Sequence, residues 1–271
     1  MQTFGDSPWE DCGSFPLLSE KDAFGFEADQ DSSMSEGSLS VDTPDMTSDS
    51  DPSLSNSCGE SSVTTPPLNE GKPVLIWDWD DTILPTSYLA GLGLSLDGPN
   101  ASEDVQQLLD AYSECALKTL IEAEKFGRVV VVTNAETGWI ELTTAKFMPL
   151  IANYIQKLPI LSARSTFEPK GFTRPYDWKE KAFAMVVESH GITSGEASGA
   201  VWSIGDSMHE RDAVISVCAH IGLVYKSIKL MERPDLHVLY RQHLLLQRSL
   251  QEVAIKSGAM DVRVQLAVPD S

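Results

Sequence analysis

The sequence predicts an α/β protein in which helices pack on a central, mainly parallel sheet of five strands. Two observations support this fold class. Short apolar runs rich in Val and Ile recur along residues 71–271 and are typical of buried strands. Segments whose apolar residues lie three and four positions apart separate these runs and are typical of amphipathic helices. Strands that alternate with helices form parallel sheets joined by crossover connections.

The predicted elements follow one another regularly along these residues. The predicted strands cover 74–79, 128–133, 158–163, 201–205 and 221–228. The first predicted helix begins after position 102, and the later ones cover about 136–147, 150–156, 177–190, 206–219 and 234–256. A loop rich in Gly, Ser and Pro at 85–102 follows the first strand. Asn100 or Ser102 is suited to cap the helix after that loop.

Residues 1–70 have a different composition and are expected to form a disordered acidic tail. They contain fifteen Asp and Glu residues, fifteen Ser residues and a single basic residue, Lys21, which gives them a net charge of −14. With so few aliphatic side chains the segment cannot bury enough surface to offset chain entropy. The apolar positions Trp9, 15–18 and 24–26 make the tail a candidate docking segment for a protein partner.

Composition and charge also exclude several classes of function. The remaining residues carry a net charge of −6 and the whole chain −20, which argues against nucleic acids and anionic membranes as partners. No apolar stretch approaches the length of a membrane span, and the first ten residues lack the pattern of a signal peptide. The four scattered cysteines form no C-x-x-C pair. Reduced thiols in an intracellular protein are therefore expected, with the cytoplasm as the expected compartment.

Two aspartates close the first predicted strand. In an extended backbone, residues two positions apart project to the same side, so Asp78 and Asp80 are expected to point together. They lie at the carboxyl end of the strand, where open α/β sheets bind their ligands. Two adjacent anionic groups require a cation or a shared proton. The pair therefore predicts a metal site combined with an acid–base group.

Polar residues also follow two later predicted strands. Thr133 and Asn134 come at the end of the second strand, and Asp206 follows the strand at 201–205. Because the carboxyl ends of parallel strands share one edge of a sheet, these side chains are expected to converge with Asp78 and Asp80. Three carboxylates make a hard oxygen cluster that suits Mg²⁺. The hydroxyl of Thr133 is a candidate donor to phosphate oxygens.

A lysine in the helix predicted at 177–190 is the best candidate for the balancing cation. Asp177 is a suitable N-cap, and Glu180 completes the pattern of a capping box. Lys179 then lies in the first turn, on the side of the helix that faces the core. Lys181 lies on the same face of the helix as Glu188, which is expected to be solvated. Lys181 and Lys170 remain alternatives to Lys179 as the balancing cation.

This combination of motifs resembles the haloacid dehalogenase (HAD) superfamily of phosphohydrolases. In that family an apolar strand ends in D-x-D-x-[TV], a second strand ends in Thr or Ser, a lysine follows, and a later strand ends in an acidic G-D motif. The sequence DWDDT at 78–82, Thr133, Lys179 and the pair Gly205-Asp206 match this pattern, within residues 74–228. The resemblance implies a HAD-like, three-layer Rossmannoid fold with a minimal cap, and phosphatase activity that requires Mg²⁺.

The resemblance also implies roles for the three aspartates. Asp78 would be the nucleophile that forms an aspartyl-phosphate, and it would also be a metal ligand. Asp80 would protonate the leaving group and then activate water, while its backbone carbonyl binds the metal. Asp206 would complete the metal site, directly or through water.

The other matching residues would bind substrate. Thr133 and Lys179 would hold the phosphoryl oxygens as charge shifts in the transition state, and both count among the catalytic residues. Asn134, next to Thr133, is predicted to contact the same group. Thr82 is predicted to orient the loop on which Asp80 lies.

Two acidic residues near the motifs need separate interpretation. Asp81 stands where many members of that family have glycine. This difference prevents assignment to a subfamily, but it removes no catalytic group. Glu210 lies four residues after Asp206, where the family often has a second acidic residue that supports the metal. Ser207 and Glu210 also match a capping box, which needs no metal. The two interpretations of Glu210 are compatible.

The spacing of the motifs leaves no room for a large cap domain. About 18 loop residues follow the first motif, and predicted elements fill most of the roughly 45 residues between Thr133 and Lys179. An open site favours a bulky substrate such as a phosphorylated protein; a small phosphate ester under a short flap is the alternative. Residues 164–174 are predicted to form a loop that leaves the carboxyl end of the third strand. Its basic residues Arg164, Lys170 and Arg174 are candidate contacts for an anionic substrate at the rim.

Two other functions agree with the same residues. One is a noncatalytic phosphate-binding or regulatory module whose tail recruits partners. A phosphotransferase would pass the phosphoryl group to a second acceptor. The presence of both Asp78 and Asp80 favours the enzyme, since binding alone would not need the acid–base residue.

Overall fold

The fold is built on one sheet, and the computed structural model describes it over residues 27–28, 72–192 and 201–266. The strands in these residues are β1 (Glu27–Ala28), β2 (Val74–Trp77), β3 (Arg128–Thr133), β4 (Ile160–Ser162), β5 (Val201–Gly205), β6 (Tyr225–Lys229) and β7 (Met260–Arg263). They lie in the order β1-β7-β6-β5-β2-β3-β4. Strands β2 to β7 are parallel to their neighbours, whereas β1 pairs with β7 in the antiparallel sense.

Helices connect the strands in the described part of the chain. They are α1 (Thr86–Gly91), α2 (Glu103–Glu124), α3 (Trp139–Phe147), α4 (Ala152–Ile155), α5 (Ala163–Phe167), α6 (Pro175–Ser189), α7 (Met208–Ile221) and α8 (Leu236–Ile255). Single 3-10 turns lie at Pro149–Ile151 and Glu168–Lys170. Within the described ranges, no helix combines the length and the apolar character needed to cross a membrane.

Two apolar cores cover the two faces of the sheet, because successive strand residues point to opposite sides. On β3, Val129 and Val131 belong to one core, and Val130 and Val132 to the other. Helices α1, α2, α3, α4 and α8 pack on the first core. Helices α5, α6 and α7 pack on the second. The molecule therefore has three layers, with the sheet in the middle.

The strand order reverses direction between β2 and β5. From β2 the chain adds β3 and β4 on one side of the sheet, and then returns to add β5, β6 and β7 on the other side. The connections after β2 and β5 therefore diverge to opposite sides. In open parallel sheets such a switch point leaves a crevice at the carboxyl ends of the strands, which is where ligands bind.

The α/β class and the mainly parallel sheet are confirmed, but the count of five strands was wrong. All five predicted strands overlap observed ones, and β1 and β7 are additional. Strand β7 was missed because its four residues carry only two apolar side chains, too few for a recognisable pattern. Strand β1 contains two residues inside the predicted disordered tail. The rest of that tail, with its candidate docking segment, lies outside the described residues.

Two segments predicted as loops contain helices. The loop at 85–102 includes α1, which buries Leu89, and the segment at 164–174 includes most of α5 and a 3-10 turn. These helices have six and five residues, so neither shows the periodicity of a longer amphipathic helix. Ser102 caps α2, as one of the two predicted alternatives, by accepting a hydrogen bond from the Val105 amide at 3.4 Å.

The predicted start of α6 was wrong. The helix begins at Pro175, because proline is favoured in the first turn, and Arg174 takes the N-cap position without a side-chain cap. Asp177 is therefore inside the first turn, where its carboxylate accepts hydrogen bonds from Arg174 at 2.8 and 2.6 Å. Glu180 forms no capping box and accepts hydrogen bonds from Tyr176 and Ser216 instead.

Candidate active site

Three carboxylates meet at the switch point of the sheet. Asp78 directly follows β2, Asp206 directly follows β5, and Glu210 lies in the first turn of α7. One carboxylate oxygen of each lies within 4.8 Å of those of the other two. The Asp78 amide donates to the Ile204 carbonyl at 2.9 Å, which extends the pairing of β2 with β5 to the edge of the sheet. The two strands thus hold Asp78 and Asp206 side by side.

The start of α7 brings Glu210 into this cluster. Ser207 and Glu210 form the predicted capping box, in which Glu210 Oε2 accepts from the Ser207 amide at 3.1 Å. The other oxygen, Oε1, lies 2.9 Å from the ammonium of Lys179. Gly205 makes this approach feasible, since a Cβ there would lie only 2.7 Å from Glu210 Cγ. Glu210 therefore caps its helix with one oxygen and faces the cluster with the other.

One buried cation lies among these carboxylates. Lys179 projects from the first half of α6 and is 1% exposed. Its Nζ donates to Asp78 Oδ1 at 2.5 Å and to the Val132 carbonyl at 2.7 Å, and it pairs with Glu210 at 2.9 Å. An ammonium has three N–H donors, so these three acceptors satisfy it completely.

The other basic residues predicted near the site have local partners elsewhere. Lys181 is 45% exposed by its side chain, unlike Lys179. The contacts are Lys181 with Glu180 at 3.6 Å, Arg164 with Glu168 at 2.9 Å, Arg174 with Asp177 at 2.6 Å, and Lys170 over the Phe167 ring at 4.7 Å. Of the three candidate lysines, the structure brings only Lys179 to the aspartates. Contact of the loop residues with an anionic substrate stays a prediction.

The three carboxylates of the cluster outnumber the one lysine that lies among them, and the pKa values of these groups are shifted. Burial, reinforced by the Glu210 carboxylate, raises the pKa of Asp206 to about 7. Burial also raises the pKa of Asp78 well above its usual range, although Lys179 opposes this effect. Burial disfavours the charged ammonium, but Asp78 and Glu210 outweigh it and raise the pKa of Lys179. Burial therefore makes Asp78 and Asp206 bind protons more tightly, whereas the pKa of Glu210 is lowered because Lys179 and Ser207 outweigh its burial.

The chemistry of these donors fits a hard divalent cation. Carboxylate oxygens are the ligands that Mg²⁺ and Ca²⁺ prefer, and three carboxylates converge here. Burial is the main cause of the raised pKa of Asp206, and the Glu210 carboxylate adds to it. A divalent cation beside these carboxylates would favour their charged forms and so oppose the shift. Asp78 and Asp206 are suited to hold it, with Glu210 as a third ligand.

The carboxylate of Asp80 lies apart from this cluster of three. Its Oδ1 accepts hydrogen bonds from the Thr86 hydroxyl at 2.6 Å and from the Trp139 indole at 3.0 Å. Its Oδ2 lies 3.4 Å from the Thr133 hydroxyl. Burial raises the pKa of Asp80, and the hydrogen bonds from Thr86 and Trp139 oppose the shift. Asp80 is thus protonated more readily than an exposed aspartate, which suits a proton donor. Metal binding by its backbone carbonyl stays a prediction.

Asp81 turns the chain at this point. Its φ of 53° lies in the left-handed region, which glycine enters freely and aspartate enters more readily than most residues. Its carboxylate accepts hydrogen bonds from the Ser87 amide at 2.7 Å and from the Ser87 hydroxyl at 2.5 Å. Asp80 and Asp81 therefore bond to successive residues of α1 and fix the loop between β2 and that helix.

A buried histidine and tyrosine support the same loop from behind. Nε2 of His243, on α8, lies 2.9 Å from the Thr82 carbonyl and 3.1 Å from the Tyr112 hydroxyl. That hydroxyl donates to the Ile83 carbonyl at 2.7 Å. Thr82 is fully buried, and its own hydroxyl has no partner among the described residues. Burial lowers the pKa of His243 to about 4. Sequence reasoning missed this support, because no spacing links α2 and α8 to the loop.

Thr133 and Asn134 have different surroundings. The Thr133 hydroxyl accepts a hydrogen bond from the Ala135 amide at 2.9 Å, close to Asp80. The Asn134 side chain donates to the Pro175 carbonyl at 3.2 Å and so joins the end of β3 to the start of α6. The structure brings Thr133 into the site and directs the Asn134 amide to α6. Phosphoryl binding by either residue stays a prediction.

Lys229 is a second cation that sequence reasoning missed. It ends β6, paired in register with Gly205, and its Nζ donates to the backbone carbonyl of Asp206 and to that of Leu230 at 3.0 Å. It also pairs with the exposed Glu232 at 3.0 Å. Lys229 thereby fixes the backbone that carries Asp206. A lysine directly after the strand predicted at 221–228 was the available signal.

The fold and the site together define a class of protein: an α/β protein with an acidic cluster and a buried lysine at the switch point of a parallel sheet. Comparison of the chain with protein-family models, curated proteins and solved structures found no match. A function for the chain must therefore be argued from the chemistry of the site itself.

Proposed function

We propose that the protein is a Mg²⁺-dependent phosphatase of the HAD-like type that acts through an aspartyl-phosphate. One observation carries the proposal. A buried lysine bonds to the aspartate at the end of β2, beside two further carboxylates, while a second aspartate two positions later is held apart. The first arrangement suits a nucleophile and a cation site, and the second suits a group that transfers protons.

In the first half of the proposed reaction, Asp78 forms the covalent intermediate. A carboxylate oxygen of Asp78 bonds to phosphorus as the bond from phosphorus to the leaving-group oxygen breaks. Asp80 gives its proton to that oxygen, so the product alcohol leaves neutral. Lys179 already contacts Asp78, and it would stabilise the negative charge of the transferred group.

In the second half, water releases the phosphate. The Asp80 carboxylate takes one proton from the water while the water oxygen bonds to phosphorus. The bond between phosphorus and Asp78 breaks, which regenerates the Asp78 carboxylate and leaves Asp80 protonated for the next cycle. Both groups end in the state in which they began.

Asp78 and Asp206 would hold the Mg²⁺ ion, with Glu210 beside them. When bound, the ion supplies positive charge that offsets the repulsion between these carboxylates and a phosphate dianion. Lys229 contributes by fixing the Asp206 backbone. The three carboxylates belong to two strand ends and one helix start, so their positions depend on the sheet and not on a mobile loop.

The proposed substrate is a bulky phosphate ester such as a phosphorylated protein. Between Asp78 and the start of α2 the chain contributes only α1 and a loop. Lys146 on α3 holds that loop by donating to three backbone carbonyls of residues 95–98, at 2.7 to 2.9 Å. This short, anchored segment is too small to form a cap domain, which suits a substrate large enough to exclude water by itself.

The proposal is tested by release of phosphate from 4-nitrophenyl phosphate with Mg²⁺, using the full chain. We expect Asp78→Asn to lower the rate by roughly a thousandfold or more, as loss of a covalent nucleophile does. The acid-quenched wild type should gain the mass of one phosphoryl group on Asp78. Asp97→Asn, on the exposed loop after α1, is the matched control and should keep the full rate. An active Asp78→Asn protein, or activity that survives excess chelator, would overturn the proposal.

A further inference from the structure

The two oxygens of the Asp80 carboxylate have unequal surroundings. Oδ1 accepts hydrogen bonds from Thr86 Oγ1 at 2.6 Å and Trp139 Nε1 at 3.0 Å. Oδ2 accepts one long hydrogen bond, from the Thr133 hydroxyl at 3.4 Å. The Ala135 amide donates to that hydroxyl oxygen at 2.9 Å and so helps to hold Thr133 in place. The two bonds to Oδ1 are therefore the interactions that fix the orientation of the carboxyl group.

This asymmetry decides which oxygen carries a proton. A carboxylate oxygen has two in-plane sites for hydrogen bonds, and the two donors occupy both sites on Oδ1. An indole N–H can only donate, and the Thr86 hydroxyl lies closer to Oδ1, at 2.6 Å, than to its other acceptor, the Leu84 carbonyl, at 3.5 Å. A proton on Oδ1 would therefore displace one of these two hydrogen bonds. A protonated Asp80 therefore carries its proton on Oδ2, the oxygen nearer to Thr133 and the end of β3.

Both donors belong to elements that are themselves fixed. Thr86 is the first residue of α1, and the bonds from Ser87 to Asp81 hold that helix start. Trp139 is the first residue of α3, and its carbonyl accepts from the Thr143 hydroxyl at 2.7 Å. The next residue, Ile140, is buried in the core. The two donors thus place Asp80 between α1 and α3.

We propose that Thr86 and Trp139 are positioning residues that direct the Asp80 proton to the leaving group. The inference rests on the proposed phosphatase activity and adds two residues to it. Asp80 Oδ2–H protonates the leaving-group oxygen, and Oδ2 later takes a proton from water, while Oδ1 stays bonded to both donors throughout. Without these donors the carboxyl group can rotate, and either oxygen can hold the proton.

The dependence of rate on the leaving group tests this role. A good leaving group departs without a proton, whereas a poor one depends on general-acid catalysis. The assay therefore compares kcat/KM for 4-nitrophenyl phosphate and for phenyl phosphate, whose leaving group is poorer. This constant reports formation of the aspartyl-phosphate and not its hydrolysis, which is common to both substrates. We expect Trp139→Phe and Thr86→Val each to lower kcat/KM for phenyl phosphate about tenfold more than for 4-nitrophenyl phosphate, as loss of one hydrogen bond predicts.

Two further variants separate positioning from general damage to the fold. Thr86→Ser keeps the hydroxyl and should restore the wild-type ratio of the two kcat/KM values. Trp178→Phe loses another indole hydrogen bond, to the Phe172 carbonyl at 2.6 Å, and should change both rates by the same factor. An effect confined to stability would appear in Trp178→Phe and Trp139→Phe alike.

The outcomes distinguish this inference from the proposed function. If Asp78→Asn is as active as the wild type, the phosphatase proposal fails and this inference fails with it. If Asp78→Asn is inactive but Trp139→Phe and Thr86→Val lower kcat/KM for both substrates equally, only the positioning role is overturned. A wild type that hydrolyses 4-nitrophenyl phosphate but not phenyl phosphate would also overturn it, because Asp80 would then deliver no proton.

Discussion

The ammonium of Lys179 lies 2.5 Å from Oδ1 of Asp78, although the two residues are 101 positions apart in the chain. Strand β2 brings Asp78 to the edge of the sheet, and α6 brings Lys179 across the end of β3. Both side chains are buried, at 1% and 9% exposure. Removal of either side chain would therefore leave the charge of the other one buried and without this partner.

Lys179→Met should therefore destabilise the fold as well as abolish activity. The substitution leaves Asp78 and Glu210 buried without a cation, and breaking a buried ion pair from one side costs about 3–5 kcal/mol. Urea unfolding measures the change. Lys181→Met, at an exposed position on the same helix, is the control and should shift stability by less than about 0.5 kcal/mol. Similar stabilities for the two variants would show that the buried ion pairs of Lys179 do not stabilise the fold.

Mg²⁺ should stabilise the folded protein through the cluster of Asp78, Asp206 and Glu210. An ion that binds only the native state adds about 2.7 kcal/mol at a hundredfold excess over its dissociation constant. The thermal midpoint should therefore rise with Mg²⁺ and fall again with chelator. Asp206→Asn should lose most of this response, and Asp97→Asn should keep it. A full response in Asp206→Asn would place the ion elsewhere.

Simple strand rules predicted the parts of the site that lie on regular elements. Asp78 and Asp206 follow apolar strands, and parallel strands share an edge, so their approach could be inferred without coordinates. Lys179 could be chosen over Lys181 because the core-facing side of an amphipathic helix is readable from spacing. Lys179 is buried on that side of α6, although the helix begins two residues before the predicted N-cap.

The same rules could not predict the loop that follows β2. The expectation that Asp78 and Asp80 point together assumed an extended chain, but β2 ends at Trp77 and the chain turns at Asp81. The contacts of Asp80 come from α1, a helix too short to show periodicity, and from Trp139 some sixty residues away. Such contacts depend on tertiary packing, so no local pattern reports them.

Asp81→Ala should destabilise this loop more than Asp81→Gly. Alanine loses both hydrogen bonds to Ser87 and also has a Cβ in the left-handed region, where a non-glycine residue costs of order 1 kcal/mol or more. Glycine loses the hydrogen bonds but adopts the positive φ without strain. Unfolding in urea should therefore rank the proteins as wild type, then glycine, then alanine. Alanine equal to glycine would show that the turn relaxes to another conformation.

His243 gives the fold a component of stability that depends on pH. Its ring is fully buried between Trp77 and Tyr112, and its Nε2 lies within hydrogen-bonding distance of the Thr82 carbonyl. Burial lowers the pKa to about 4, below the usual value of 6.5. Between these values the unfolded chain binds more protons at this residue than the native state does.

This contribution of His243 should therefore be fully present above pH 6.5 and be lost as the pH falls toward 4. The full loss corresponds to about 3 kcal/mol, from 1.36 kcal/mol per pKa unit. Urea unfolding of wild type and of His243→Gln between pH 7.5 and 4.5 measures it: the difference between the two should shrink as the pH falls, because the variant cannot titrate there. His220→Gln, the same change at an exposed position, should follow the wild type. Parallel curves for wild type and His243→Gln would mean that the native protein accommodates the protonated ring.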